Sequence, residues 1–287
     1  MERHEIAAEN FDLELTMTCG QTFCWHRTKG DLYGEGTSKF YTYRDKKPIF
    51  VEQEGDVIFA ETEHSKEEVK KALGLHKDLE SVFSNLPEDE SLEKAREEYW
   101  GLRVVNDDFF QCLIGYLLSP QNRIPRIKEM FDEIARNFGS VEQVNGEEVL
   151  RFPTPEELSK ASEDDLRAIG TGYRAKYIVE TLDILQDGFD HNELDSMDYV
   201  EAREHMQNLY GVGDKVADCV LLFSKGFHEA APIDTWGKKF LEQLYPELHS
   251  EDYEEASENM REHFGEHTGY AQEYLFHAAR NGVIEVE

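Results

Sequence analysis

Two regimes of hydrophobic spacing divide the chain. Over residues 1–62 the apolar positions fall in short runs and alternations. Phe11, Leu13, Leu15 and Met17 alternate with polar neighbours, and Tyr41-Thr42-Tyr43, Pro48-Ile49-Phe50-Val51 and Val57-Ile58-Phe59-Ala60 lie between Gly- and Asp-bearing turns. That pattern predicts short β-strands. From about Ser65 the apolar spacing changes to threes and fours, which predicts helices to the end of the chain. The expected helices cover 66–74, 77–85, 90–99, 107–118, 124–137, 156–169, 173–187, 197–208, 214–225, 235–245, 252–264 and 269–281. An acidic stretch near 86–95 marks a boundary. We therefore expect an N-terminal α+β domain with a twisted antiparallel sheet over 1–98 and a helical domain over 99–287.

One junction between helices carries candidate chemistry. A helix over 198–208, with Val200, Met206 and Leu209 on one side, runs into Gly211-Val212-Gly213. Both glycines can take φ > 0 and let another backbone come close. The next helix opens near Asp214, a residue type suited to an N-cap. Its unpaired first-turn N–H groups and the positive end of its dipole suit an anion such as a DNA phosphate. A GxG turn by itself is equally a tight αα-hairpin in a bundle. Lys215 lies in the first turn, where a desolvated amine can become a nucleophile. Cys219, four residues on, shares its face. The pair reads either as a pocket floor or as a surface lysine beside a buried cysteine. Asp234 heads the helix over 235–245, as a simple N-cap or as a cap that also aims a carboxylate at a neighbouring site. Gly170-Thr171-Gly172-Tyr173-Arg174-Ala175-Lys176 echoes the same GxG and basic helix start.

On the run Gly211 to Cys219, followed by Pro232-Ile233-Asp234, the chain resembles the helix-hairpin-helix DNA glycosylase superfamily. Lys215-Val216-Ala217-Asp218-Cys219 is similar to the 8-oxoguanine glycosylases in particular, which excise the base and nick the strand. The resemblance implies an α+β fold, a small antiparallel sheet domain packed on a helical core. It implies that Lys215 attacks C1′ of a flipped nucleotide to form a Schiff base while Asp234 stabilises the transition state. Cys19-Gly20-Gln21-Thr22-Phe23-Cys24-Trp25 resembles an element whose glycine carbonyl accepts N7–H of 8-oxoguanine, which gives Gly20 that role. Gly269-Tyr270-Ala271-Gln272-Glu273-Tyr274-Leu275-Phe276 resembles the C-terminal helix. Gln272 would read the Watson–Crick edge, Phe276 would stack on one face of the base and Cys219 would close the other. Ser119 to Arg126 resembles the plug of the vacated stack, with Gln121 and Asn122 filling the hole and Arg126 reading the orphaned cytosine. Tyr173 would wedge beside that base and Arg174 would contact it. Gly211 and Gly213 would hold the DNA backbone. No organic cofactor is implied; a monovalent cation bridging hairpin carbonyls to phosphate is. The partner is double-stranded DNA carrying oxidised guanine, and the chain would act as a monomer. Two family features are missing: Thr235-Trp236 replaces Val-His after the aspartate, and His277-Ala278-Ala279 lacks an aspartate.

Composition narrows the alternatives. Four cysteines have neither zinc, iron–sulfur nor disulfide-framework spacing. No apolar run approaches eighteen residues, so a soluble cytoplasmic protein is expected. Thirty bases against sixty-one acids give a net charge of −31, unlike the usual basic DNA binder. The acids are absent from 109–128, which holds Arg123, Arg126 and Lys128, and from 167–179, which holds Arg174 and Lys176. A halophile-like acidic shell that spares a DNA face explains both facts; plain acidic solubility explains only the first. A glycosylase for other oxidised or alkylated purines, and a DNA-damage-binding module without chemistry, are the competing functions. Gly20, Gln272 and Cys219 argue against the first, and Lys215 with Asp234 against the second.

Overall fold

The computed structural model describes residues 1–286. The N-terminal strands are β1 (Glu2–Ala7), β2 (His26–Arg27), β3 (Lys39–Arg44), β4 (Lys47–Glu54) and β5 (Val57–Thr62). They form one antiparallel sheet in the order β1-β5-β4-β3-β2. Phe40, Ile49, Val51, Ile58 and Ala60 are buried on its inner face. Between β1 and β2 runs helix α1 (Leu13–Thr18), where alternation predicts a strand. The Asp12 carboxylate caps it by accepting the Leu15 N–H at 2.8 Å. Leu13, Thr16 and Met17 are buried at helical spacing, so the cap overrode a pattern that fits either period.

Helices α2 (Lys66–Ala72), α3 (Leu79–Ser84) and α4 (Glu90–Tyr99) lead to the helical part. There follow α5 (Phe109–Leu117), α6 (Ile124–Phe138), a second strand pair β6 (Ser140–Val144) and β7 (Glu147–Arg151), then α7 (Pro155–Leu158), α8 (Glu163–Ala168) and α9 (Arg174–Gln186). The chain ends with α10 (Tyr199–Met206), α11 (Asp214–Val220), α12 (Thr235–Leu244), α13 (Tyr253–Phe264) and α14 (Thr268–Arg280). The β6–β7 hairpin corrects the expectation of helices throughout. Asn145 and Gly146 both have positive φ and form the two-residue turn that Asn-Gly favours. The helix expected over 156–169 is broken into α7 and α8, because Ser162 caps a fresh start with Asp165. The apolar side of α10 is Tyr199, Ala202 and Met206; Val200 is 54% exposed.

One continuous core passes under sheet and helices. Tyr274 of α14 donates to the Leu102 carbonyl at 3.0 Å and meets Phe83 edge to face. Among the described residues no helix is long and apolar enough to cross a membrane.

Candidate active site

Five segments converge on a cavity of about 610 Å³. Its walls include Gly20, Ser119, Gln121, Asn122, Lys215, Cys219, Asp234, Gln272, Glu273 and Phe276. The structure thus brings together both expected catalytic residues, the four expected base-contacting residues and four of the expected DNA contacts, Gln121, Asn122, Gly211 and Gly213.

Gly20 lies just beyond α1, whose C-cap is Cys19. Its φ is +116°, and a Cβ there would come within 2.7 Å of Arg280 and Ile124 side-chain atoms. Only glycine fits this backbone and this space. The loop after it is pinned by Gln21, which is buried. The Gln21 amide donates to the Arg103 carbonyl at 2.7 Å and accepts the Val105 N–H at 3.0 Å. Tyr116 donates its hydroxyl to the Gln21 carbonyl at 2.6 Å. The motif alone does not reveal this role of Gln21: a buried side-chain amide with three partners holds the turn that presents Gly20.

Lys215 stands one residue into α11. Its Nζ lies 5.0 Å from the Tyr116 ring centroid and 3.4 Å from Ser119 Oγ. Burial pushes the Cys219 thiol up to about 12, against the pull of Lys215 beside it, so Cys219 is a neutral apolar wall rather than a thiolate. The N-cap of α11 is Gly213, not Asp214. Asp214 instead takes bonds from Arg203 at 2.9 Å and Gln207 at 2.6 Å. Gly211 has φ +81° and packs so tightly on Tyr177 that a Cβ would lie 2.6 Å from the ring. Gly213 has an ordinary φ of −96° with nothing within 4 Å. Both glycines can take left-handed backbone; only Gly211 does.

Asp234 caps α12 by accepting the Gly237 N–H at 2.8 Å. It is partly exposed and faces the same cavity as Lys215. Behind both runs a buried network. Ile233 donates its N–H to Tyr253 Oη at 3.1 Å, and Tyr253 donates to Asp218 Oδ2 at 2.7 Å. Tyr199 donates to Asp218 Oδ1, and Arg203 makes an ion pair with it at 3.1 Å. Asp218 lies three residues beyond Lys215 and Ile233 one before Asp234, so this chain of bonds ties nucleophile helix to carboxylate loop.

Gln272, Glu273, Phe276 and Arg280 share one face of α14. Gln272 Oε1 and Glu273 Oε1 are buried without hydrogen-bond partners. Arg280 lies over the Phe276 ring at 5.3 Å. A second cavity of about 820 Å³ shares Asp234 and Phe276 with the first and is lined by Arg123, Trp236 and Arg280. The position of the missing histidine is therefore taken by the indole of Trp236, with Lys239 Nζ over its ring at 5.0 Å.

The expected opposite-strand residues lie around the mouth. Gln121 is exposed with φ +53°, a strained backbone conformation for a residue with a side chain. Tyr173 is 40% exposed. Arg174 is buried; it stacks on Tyr173 and bonds the Pro120 carbonyl through Nε at 3.1 Å. Arg126 pairs with Glu129 at 2.9 Å and reaches the Gly170 carbonyl at 3.3 Å. Lys128 leaves the proposed DNA face: it is buried against His26 at 2.9 Å and Asp132. Its acid-free window spans a helix with one inward side, which charge counting along the sequence does not see.

Comparison with known proteins agrees with this geometry. Residues 3–113 match the model of the 8-oxoguanine DNA glycosylase N-terminal domain. Residues 114–266 match that of the HhH-GPD superfamily of base excision DNA repair proteins. A probable N-glycosylase/DNA lyase of Methanothermobacter thermautotrophicus is 32% identical over 98% of this chain and 97% of its own length. An N-glycosylase/DNA lyase of Arabidopsis thaliana is 33% identical over 78% of this chain and 63% of its own. The 8-oxoguanine glycosylase/lyase of Clostridium acetobutylicum, solved with double-stranded DNA holding cytosine opposite 8-oxoguanine, superimposes with a TM-score of 0.85 at 30% identity over 99% of each chain. With a lysine-bearing hairpin and a capped aspartate facing one cavity, and with both domain models matched along its length, this chain belongs to the HhH-GPD superfamily of base excision DNA repair proteins, on the branch that carries the 8-oxoguanine glycosylase N-terminal domain.

Proposed function

We propose that this protein is a bifunctional 8-oxoguanine DNA glycosylase and abasic-site lyase. The observation that carries the reading is the cavity in which Lys215 and Asp234 face the same space as Gly20, Cys219, Gln272 and Phe276. A base inside a duplex cannot reach such a cavity, so the damaged nucleotide is flipped out of the stack. The ring enters between the neutral Cys219 thiol and Phe276. Gly20 offers its carbonyl to N7–H, a donor that guanine lacks, and Gln272 brings an unpaired amide oxygen to the other edge. Lys215 attacks C1′ in its amine form; the glycosidic bond breaks, and ring opening leaves a Schiff base from which the strand is cleaved. Asp234 places negative charge where positive charge develops on the sugar.

Gln121 and Asn122 fill the vacated stack, Tyr173 wedges beside the estranged base, and Arg126 and Arg174 bond to cytosine. Both arginines hold backbone carbonyls in the free protein, so they are released or shared when DNA arrives. The hairpin binds phosphate through its N–H groups, and the open space at Gly213 admits the DNA backbone. The Gly211 and Val212 carbonyls take no backbone hydrogen bond among the described residues, which fits a monovalent cation held between them and a phosphate. That ion would supply positive charge to the contact. We take a single copy of the chain as the working unit.

Borohydride trapping on a duplex with 8-oxoguanine opposite cytosine tests the reading. Wild-type protein should give a covalent adduct and Lys215→Gln none; undiminished trapping in the variant removes Lys215 as nucleophile. Asp234→Asn should bind the lesion nearly normally with a large loss of turnover, since its charge acts mainly in the transition state. Weak lesion binding with unchanged turnover is the contrary result.

A further inference from the structure

Glu273 is a carboxyl that the reading above does not use. It is 3% exposed, lines the base cavity and has one oxygen with no partner. Along α14 it is one residue from Gln272 and one turn from Phe276, so it looks into the cavity beside both. Its electrostatic neighbours are Cys19, one residue before Gly20, and Arg280, whose guanidinium reaches the Gly20 backbone, so it lies on the Gly20 side of the cavity. The Cys19 thiol, which donates to the Thr16 carbonyl at 3.4 Å, lies beside it, Asp234 repels it and Arg280 attracts it. The phenols of Tyr33 and Tyr116 complete the titratable groups that sense it. With Gly20 facing N7–H and Asp234 facing C1′, the part of the base between them is C8 with its oxygen O8.

The geometry points to Glu273 as a lesion-specific general acid that hydrogen-bonds O8 of 8-oxoguanine in its protonated form and protonates the departing base. This rests on the 8-oxoguanine reading. O8 is the atom that distinguishes the lesion from guanine, and it is an acceptor, so only a protonated carboxyl can donate to it. As Lys215 Nζ bonds to C1′, the C1′–N9 pair moves onto N9 and through C8 to O8. The Glu273 proton moves to O8. The base leaves as a neutral enol tautomer, Glu273 becomes a carboxylate, and the positive charge resides on the secondary ammonium at C1′. Proton donation at a developing anion is worth roughly 10²-fold or more in rate.

Burial raises the Glu273 carboxyl from its ordinary value to about 7, with Asp234 adding to the rise and the neighbouring Cys19 thiol and Arg280 opposing it. The acid form is therefore available at neutral pH. The sign follows: the proposed contact is present below about 7 and lost as pH rises through that value. An ordinary exposed glutamate would be ionised throughout this range.

The experiment is single-turnover excision of 8-oxoguanine opposite cytosine from pH 6 to 9, in wild type and in Glu273→Gln. Wild type should show a falling limb near neutrality. In Glu273→Gln, which keeps an N–H donor but has no proton to transfer, the falling limb should vanish. The variant should be roughly 10²-fold slower at the acid end and no slower than wild type at the alkaline end. A falling limb retained in the variant overturns the proposal, because a merely structural glutamate would shift rates without moving the pH profile. A second measurement uses the unaltered protein, so a folding failure in the variant leaves the question decidable. Fluorescence anisotropy with a duplex carrying 2′-fluoro-8-oxoguanine, against the matching guanine duplex, should show lesion preference shrinking as pH rises through neutrality. A preference flat in pH overturns the proposal. Absence of wild-type cleavage at every pH would instead bring down the underlying glycosylase reading.

Discussion

Gly211 and Gly213 look alike in the sequence and are unlike in the structure. At Gly211 the backbone is left-handed and Tyr177 fills the space a Cβ would need. At Gly213 the backbone is extended and the space is empty. The first glycine is therefore required by the fold and the second by whatever approaches from outside. Gly211→Ala should lower stability by about 1–3 kcal/mol, since strained backbone and a displaced ring both count against it. Gly213→Ala should melt like wild type and yet bind duplex DNA at least several-fold more weakly. Thermal melts and anisotropy on the two variants check this pair. Wild-type DNA affinity in Gly213→Ala would mean that no backbone comes close there. Such distinctions set the limit of sequence legibility at this scale. Lys215, Asp234, Gly20, Gln272 and Phe276 were all readable from motifs and fall in one cavity. Glu273 lies in the same motif as Gln272 and Phe276, yet its place on the cavity wall as a buried carboxyl is visible only in three dimensions.

Elements were legible where a single period prevailed. The long helices α6, α9, α13 and α14 begin and end close to where spacing places them. The errors fall where two signals compete. Leu13, Leu15 and Met17 satisfy a strand period, while Asp12 supplies a helix cap and wins. Asn145-Gly146 is a hairpin signal short enough to be lost among helices. Neither error is incidental to the site, since α1 is what delivers Gly20. The buried bonds between α11 and the Asp234 loop were invisible to any local pattern, because their partners are far apart in sequence. They also yield a prediction. Tyr253→Phe removes the hydroxyl that joins Ile233 N–H to Asp218, both buried. Two groups lose their bond, at a cost of about 1–3 kcal/mol each if water cannot reach them. The tie between nucleophile and carboxylate also slackens, so excision should slow more than lesion binding weakens. Denaturant midpoints with kcat and lesion affinity measured together decide it; a stability loss with unchanged kcat would make the network a scaffold only.

For the molecule as a whole the governing quantity is the net charge of −31. Much of the positive charge on the surface is spent locally, as in Lys94 with Glu90, Arg96 with Glu93, Arg136 with Glu133 and Arg167 with Glu163. Such exposed pairs contribute little to stability and less as salt rises. What remains for DNA is a small set of exposed cations on the segments that carry the site: Arg123, Lys176 and Lys238, with Arg126 shared with Glu129. In dilute buffer the screening length is about 10 Å at 0.1 M and the acidic shell repels both itself and a polyanion; at 1 M it is about 3 Å and that repulsion fades. Counterion release, which drives most protein–DNA binding, also fades at high salt. Affinity must then rest on contacts that salt spares: hairpin N–H groups on phosphate, the Tyr173 wedge and stacking on Phe276. We expect folding and excision to improve together as KCl rises from about 0.1 M toward about 3 M, a range over which screening shortens to a few ångströms. Circular dichroism and single-turnover excision across that series make the test. A binder that relies on cation–phosphate attraction behaves in the opposite way and weakens steadily. Full activity at the low end that falls monotonically would show that the few exposed cations dominate and that the acidic shell is no adaptation to salt. Folding that improves while excision falls would separate the two effects, assigning the shell to stability and leaving DNA capture to Arg123, Arg126, Lys176 and Lys238.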